Sequence, residues 1–211
     1  NGLFLRDRLH SDGLVGVALS GALEIETIVA QGCRPVGVPM FVTGCERDII
    51  TSLDGEPALN VLKRLYDELS EPDKVLAKQA VFLGLGLGSP SDDSGRYGQG
   101  DYLIRQLLGM DPRSRAIQVG ARVRERQVVQ MHVRDAKASA QDLNQHFVAQ
   151  SATEPSGALL FSCLGRGEGL YGFPNHDCEL YTRHMKNQRV GGFFCNGEIG
   201  PVQGSTFLHG F

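Results

Sequence analysis

The feature that most constrains this chain is the shortness of its apolar runs and the regularity with which glycine closes them. The longest, "AVFLGLGLG" at residues 80–88, is far short of the roughly 20 residues that a membrane-spanning helix needs. It reads as a buried strand. Between such runs lie stretches of helical periodicity, so strands and amphipathic helices must share one core. The 211 residues are ample for that, as one large domain or two small ones.

In the first third, "GLVGVALSG" (13–21) and "ALEIETIVAQG" (22–32) predict successive strands with a turn at Ser20–Gly21. "RPVGVP" breaks the pattern, and "MFVTGCERDIITSLDG" supplies two extended runs that turn around Glu46 to Asp48. A helix is expected from near Pro57, with Ala58, Leu62, Leu65 and Leu69 on one stripe, and a short second helix after Pro72. Residues 88–101, polar and rich in glycine, form a loop.

Beyond it, "YLIRQLLGMDP" predicts a strand running into a turn, and "RAIQVG" follows. "QVVQMHVRD" alternates, with Val129, Met131 and Val133 on one face and Gln130, His132 and Arg134 on the other. Asp135 is placed to cap a helix whose buried stripe is Ala136, Ala140, Leu143 and Phe147. Last come the strand "GALLFSC", the loop "LGRGEGLYGFPN", the helix "HDCELYTRHMK", and the runs "VGGFFCNGEIG" and "STFLHGF". The helix carries acids in its first turn and bases in its last, matching its dipole. The expected class is α+β, a mixed and largely antiparallel sheet flanked by several helices.

A net charge of −3 gives no reason to expect nucleic acid as a partner. The five cysteines are odd in number and contain no C-x-x-C pair, so a disulfide framework is not expected and a reducing cytoplasm is. The chain starts at Asn1 and stops in a strand-like run, which reads as a piece of a longer protein.

Four chemistries compete for the glycine-flanked polar residues. "GLGLGSP" lacks the Lys-Ser/Thr of a phosphate loop and is followed by Pro90 and a polar loop, not by a helix, so no nucleotide cofactor is expected. Cys163, His176, Cys178, His184 and Cys195 do not have the spacing of a structural zinc site, and Cys178 shares a helical face with Tyr181 and Met185, which suggests packing. No metal or other cofactor is expected. Cys163 could be a thiolate nucleophile, since Arg166 follows by three residues and His176 opens the next helix. No local signature of a cysteine enzyme surrounds it. Finally, Glu198 ends "GGFFCNGE", and two glycine-rich strand ends of opposite charge, Arg166 and Glu198, could converge on one small polar ligand.

Several segments in order along the chain resemble the FIST domain: "QGCRPVG" (31–37), "LDGEPALNVL" (53–62), "DYLIRQLLGMDP" (101–112), "VQMHVRDA" (129–136), "GALLFSCLGRG" (157–167) and "GGFFCNGEIGPVQGSTFLHGF" (191–211). On this resemblance residues 1–45 are the end of the N-terminal FIST portion and 46–211 the C-terminal portion. One departure is "RVRERQVV", where a glycine is expected at the turn occupied by Arg126.

The resemblance implies a cytoplasmic, non-enzymatic input module of a signal-transduction protein, paired with an attached or separate output domain. It implies a small-molecule ligand, with amino acids or their derivatives as candidates. Carried onto this sequence, the ligand-binding residues are Cys163, Arg166, Asn196 and Glu198, with Arg105, Arg134 and Asp135 further off. The alternatives are a cysteine-dependent enzyme using Cys163 and a protein-recognition module with a broad exposed apolar patch.

Overall fold

The computed structural model describes residues 2–88, 97–98, 100–150, 155–186, 189–202 and 204–209. Most of the loop expected at 88–101 lies outside the described residues.

The chain opens with a hairpin, β1 (Leu3–Leu5) and β2 (Arg8–His10). The two strands expected over 13–32 are absent. That segment is unpaired, with Leu14 94% and Val17 87% exposed, although the bend at Gly21 is present. Alternation makes a strand only where a neighbour takes up its backbone hydrogen bonds, and among the described residues none runs beside it.

β3 (Cys33–Glu46) is longer than its pattern suggested, because it continues through "RPVGVP". It absorbs Gly37–Pro39 as an irregularity in its pairing, with Gly37 at φ 66°. The hairpin to β4 (Ile49–Leu53) turns at Arg47, φ 54°, where the turn was expected. β5 (Glu56–Pro57) leads into α1 (Ala58–Glu68), which buries Ala58, Leu62 and Leu65 as its spacing predicts. Burial of each such leucine is worth roughly 1.5–3 kcal/mol. α2 (Glu71–Gln79) is capped by Ser70, whose side chain accepts the Asp73 N–H.

Next come β6 (Val81–Gly86), β7 (Tyr102–Asp111), β8 (Ala116–Val119) and β9 (Val128–Arg134). The main sheet has the order β3-β9-β6-β7-β8-β4-β5, antiparallel throughout. β3 also pairs with β4, so the long first strand closes the sheet on itself. One core lies between the sheet and helices α1 and α2; a second, holding Cys33, Phe82, Tyr102, Ile104 and Val128, lies on the other face.

That second core corrects the reading of β9. Its expected polar face is buried too, with Gln130 6% and His132 1% exposed. The polar atoms are satisfied: Gln130 Oε1 accepts from Tyr102 Oη at 2.6 Å, and Gln130 Nε2 donates to the Gly37 carbonyl. Gly84 is required here, because a Cβ on it would run into the His132 ring. Between β8 and β9, Arg126 holds φ 65° at the turn where glycine was expected.

α3 (Ala136–Gln150) starts at Asp135, whose side chain accepts the Lys137 and Ala138 N–H groups. Its buried stripe is Ala138, Ser139, Leu143 and Phe147, so Ala136 and Ala140 are only half-buried. On that stripe Ser139 Oγ hydrogen-bonds the Tyr171 hydroxyl at 2.8 Å.

β10 (Ala158–Cys163), the short α4 (Glu168–Tyr171), α5 (His176–His184) and β11 (Val190–Cys195) make a βαβ unit whose two strands are parallel. Leu143, Phe147, Leu180, Tyr181 and Met185 form its core with α3. Cys178 is exposed and does not pack with Tyr181 and Met185, because the buried face of this short helix is centred on Leu180 and Tyr181. β12 (Glu198–Val202) and β13 (Ser205–His209) close the chain as a hairpin. The class is α+β, and no helix among the described residues is long and apolar enough to cross a membrane.

Candidate functional site

β10 delivers Cys163 to a turn in which Arg166 follows, and the turn folds back onto the start of α5. There Asp177, which the sequence offered only as a first-turn acid, takes Arg166 in a two-pronged grip. Arg166 Nε donates to Asp177 Oδ2 at 2.8 Å and Arg166 Nη2 to Asp177 Oδ1 at 3.0 Å. The side chains are 10% and 9% exposed. The guanidinium and the His176 ring hold the Asp177 carboxyl below the usual carboxylate range, against the upward push of burial.

The pair is anchored on every side. Ser162 Oγ donates to Asp177 Oδ2, His176 Nδ1 lies 2.9 Å from Asp177 Oδ1, and the Tyr171 ring stacks on His176 at 3.6 Å. Arg166 also lies over the Tyr171 ring. Two of its guanidinium nitrogens are therefore committed within the protein, so it is not an unengaged anion anchor.

Glu198 begins β12, half-buried, and its Oε1 is buried without a hydrogen-bond partner. Burial raises its pKa. The Arg166 charge reaches it and opposes that rise, although no ion pair joins the two. Asn196 sits exposed on the turn between β11 and β12. The structure thus brings Cys163, Arg166 and Glu198 to one edge of the βαβ unit.

The more distant candidates make contacts within the fold. Arg105 donates to the Leu208 carbonyl and ties β13 to the main sheet. Arg134 lies against Gly165, where any Cβ would come within 2.6 Å of its guanidinium. Asp135 pairs with Arg34, which also pairs with Asp73.

Beside this edge is a cleft of about 470 Å³ that no sequence motif announced. Its walls include Val29 and Gln31 before β3, Asp101 before β7, Asp142 and His146 on α3, and Pro201 on β12. Asp142 Oδ2 accepts the Gln31 N–H at 2.7 Å, and burial raises the Asp142 pKa. Gln31 Nε2 donates to the Tyr102 carbonyl, which leaves its Oε1 buried with no partner. The cleft therefore offers two carboxylates, both acceptors for a hydrogen-bond donor. None of Cys163, Arg166, Asn196 and Glu198 lines it, but β12 carries Glu198 and the Arg166 charge acts on Asp142. Position along the sequence could not reveal the cleft, because Gln31, Asp101, Asp142 and Pro201 meet only in the fold. Among the described residues no cluster of His, Cys, Asp and Glu could hold a metal ion.

The FIST N domain matches residues 2–56 and the FIST C domain matches residues 58–201. The chain belongs to the FIST family. Two relatives from Mycobacterium align with nearly the whole of this chain. An uncharacterized protein of M. tuberculosis, Rv0628c, is 42% identical over 211 residues, 98% of this chain and 54% of its own length. An uncharacterized protein of M. bovis, Mb0898c, is 36% identical over 212 residues, 99% of this chain and 54% of its own. This FIST chain thus spans about half the length of the curated relatives it matches. No solved structure matches it. The two family portions meet at residue 57, yet they are not separately folded: β3 from the first pairs with β9 from the second. The cleft is walled by both portions.

Proposed function

We propose that this FIST domain is a small-ligand input module of a cytoplasmic signal-transduction protein, and that its ligand, an amino acid or an amine derivative, sits in the cleft between the two family portions. The observation that carries the reading is the acceptor pair of that cleft, the Asp142 and Asp101 carboxylates. An ammonium group would donate N–H bonds to both. Glu198 and Arg166 stand behind it through β12 and Asp142, so occupancy would be felt at the edge that holds Cys163 and Asn196. An attached or separate output domain would respond by at most the ligand's differential affinity for the two states. The module is proposed as a binder and not as an enzyme, because Arg166, the cation nearest to Cys163 in sequence, is engaged by Asp177.

A panel of amino acids and amines tested by thermal shift checks this. A ligand at a hundredfold excess over its Kd adds about 2.7 kcal/mol, and the melting temperature should rise by several degrees. Asp142→Asn should abolish that shift while leaving the unliganded melt near that of the parent. No shift with any compound, or an equal shift in Asp142→Asn, would remove the cleft from consideration.

A second reading has its own support. Leu159, Phe161, Leu164, Phe193 and Phe194 are all at least half exposed on the β10–β11 unit, and Phe161 and Phe193 meet edge-on at 5.2 Å. Such an apolar surface suits protein recognition, and it is compatible with ligand sensing as the face that the output domain reads.

A further inference from the structure

The two glycine-rich strand ends bring together more than opposite charges. β10 and β11 run parallel in unbroken register from Ala158↔Val190 to Cys163↔Cys195, so the two strands end on directly paired cysteines. Paired positions on neighbouring strands project to the same face of a sheet. Strands lie about 4.7–4.9 Å apart, within the Cα separation that a disulfide spans, roughly 4.4–6.8 Å. Gly191 and Gly192 stand opposite Leu159 and Leu160, and a Cβ at Gly192 would strike the Leu160 backbone, so no side chain wedges the strands apart there.

Both cysteines are thiols, and both are half-buried, within reach of a small oxidant. Cys163 Sγ accepts the Gly165 N–H at 3.4 Å. Cys195 is the poorer nucleophile, since burial and the neighbouring Glu198 raise its pKa. Cys33 lies close enough for the Cys163 charge to act on it, but it is fully buried and burial pushes it up to about 12.

We propose that Cys163 and Cys195 are a redox modification site, closed to an intrachain disulfide by a hydroperoxide. The Cys163 thiolate attacks the terminal peroxide oxygen, the O–O bond breaks, and the departing alkoxide or hydroxide leaves as an alcohol or water after taking up a proton. The Cys195 thiol, losing its proton, attacks the resulting sulfenic sulfur; the S–O bond breaks and water leaves. Two thiols and one hydroperoxide thus give one disulfide, one alcohol or water, and one further water. The bridge closes a loop that contains α4, α5 and the Arg166–Asp177 pair, and it pins the strand ends that precede Arg166 and Glu198. Its partial exposure leaves it open to thiol exchange, as a reversible modification requires. The site stands on strand register and is independent of the ligand reading.

The test is peptide mapping of the intact chain after treatment with equimolar hydrogen peroxide, alkylation and digestion without reductant. The expected product is a peptide pair joined through Cys163 and Cys195, lighter by two hydrogens than the separate peptides and released by dithiothreitol. Cys163→Ser and Cys195→Ser should each remove it, whereas Cys178→Ser should leave it unchanged. The mapping of the parent protein decides the matter even if either serine variant folds poorly. A Cys33–Cys163 bridge, a bridge between chains through exposed Cys178, or sulfinate at Cys163 with Cys195 still alkylated would overturn the proposal.

Discussion

Acidification should destabilise this protein through His132, by an amount that the fold sets. The ring is 1% exposed in the second core, edge-on to Tyr102 at 4.8 Å, with its Nδ1 on the Gln130 carbonyl at 3.0 Å. Burial lowers its pKa from 6.5 to about 4. The unfolded chain therefore binds the extra proton between those values and the folded chain does not, so stability falls as the pH drops through that window. Once both states are protonated, below about pH 4, the full loss is about 3 kcal/mol. Between about pH 7.5 and about pH 5.5 it is about 1.4 kcal/mol, because the folded state is still neutral and the unfolded state is almost wholly charged.

Asp142 and Glu198 act in the opposite sense: their pKa values are raised on folding, so they contribute stability as the pH falls into the carboxylate range. The clean measurement is thus a difference. Urea unfolding of the parent and of His132→Gln should be compared at both pH values. The stability gap between them should change by about 1.4 kcal/mol in favour of the glutamine variant at the lower pH. A gap that stays constant would refute the reasoning, since it would mean that His132 titrates alike in both states.

Two further perturbations test the local physics. Asp177→Asn leaves Arg166 buried without its counter-charge and should cost roughly 3–5 kcal/mol, read as a fall in the urea midpoint; a loss under about 1 kcal/mol would mean that solvent or another acid compensates Arg166. Arg126→Gly relieves a side chain held at φ 65°. Relief of about 1–2 kcal/mol against an entropic cost of about 0.5–1 kcal/mol should leave a small net gain in melting temperature, and a fall would show that the Arg126 side chain itself stabilises the turn.

The features legible in the sequence were those decided within a few residues. Helix α1 followed from the Ala58–Leu62–Leu65 spacing, α2 from Pro72, and the cap of α3 from Asp135, because periodicity and capping are local hydrogen-bond and burial problems. The glycine-preferring turn at Arg126 came from the family resemblance and not from a local rule. The family resemblance was legible too, and it placed Cys163, Arg166, Asn196 and Glu198 at two strand ends that the fold sets side by side.

Tertiary structure decided what depends on neighbours distant in sequence. The segment 13–32 has strand-like runs and, among the described residues, no partner to pair with, while "RPVGVP" lacks the pattern and is held in β3 by β9. The polar face of β9 became a second core because Tyr102 and Phe82 cover it. Arg166 found its acid eleven positions on, at the start of a helix whose docking no local rule fixes. The register that pairs Cys163 with Cys195, and the cleft that gathers Gln31, Asp101 and Asp142, exist only once distant segments are packed together. Pairing and burial are properties of two surfaces at once, and a sequence read along one chain presents them singly.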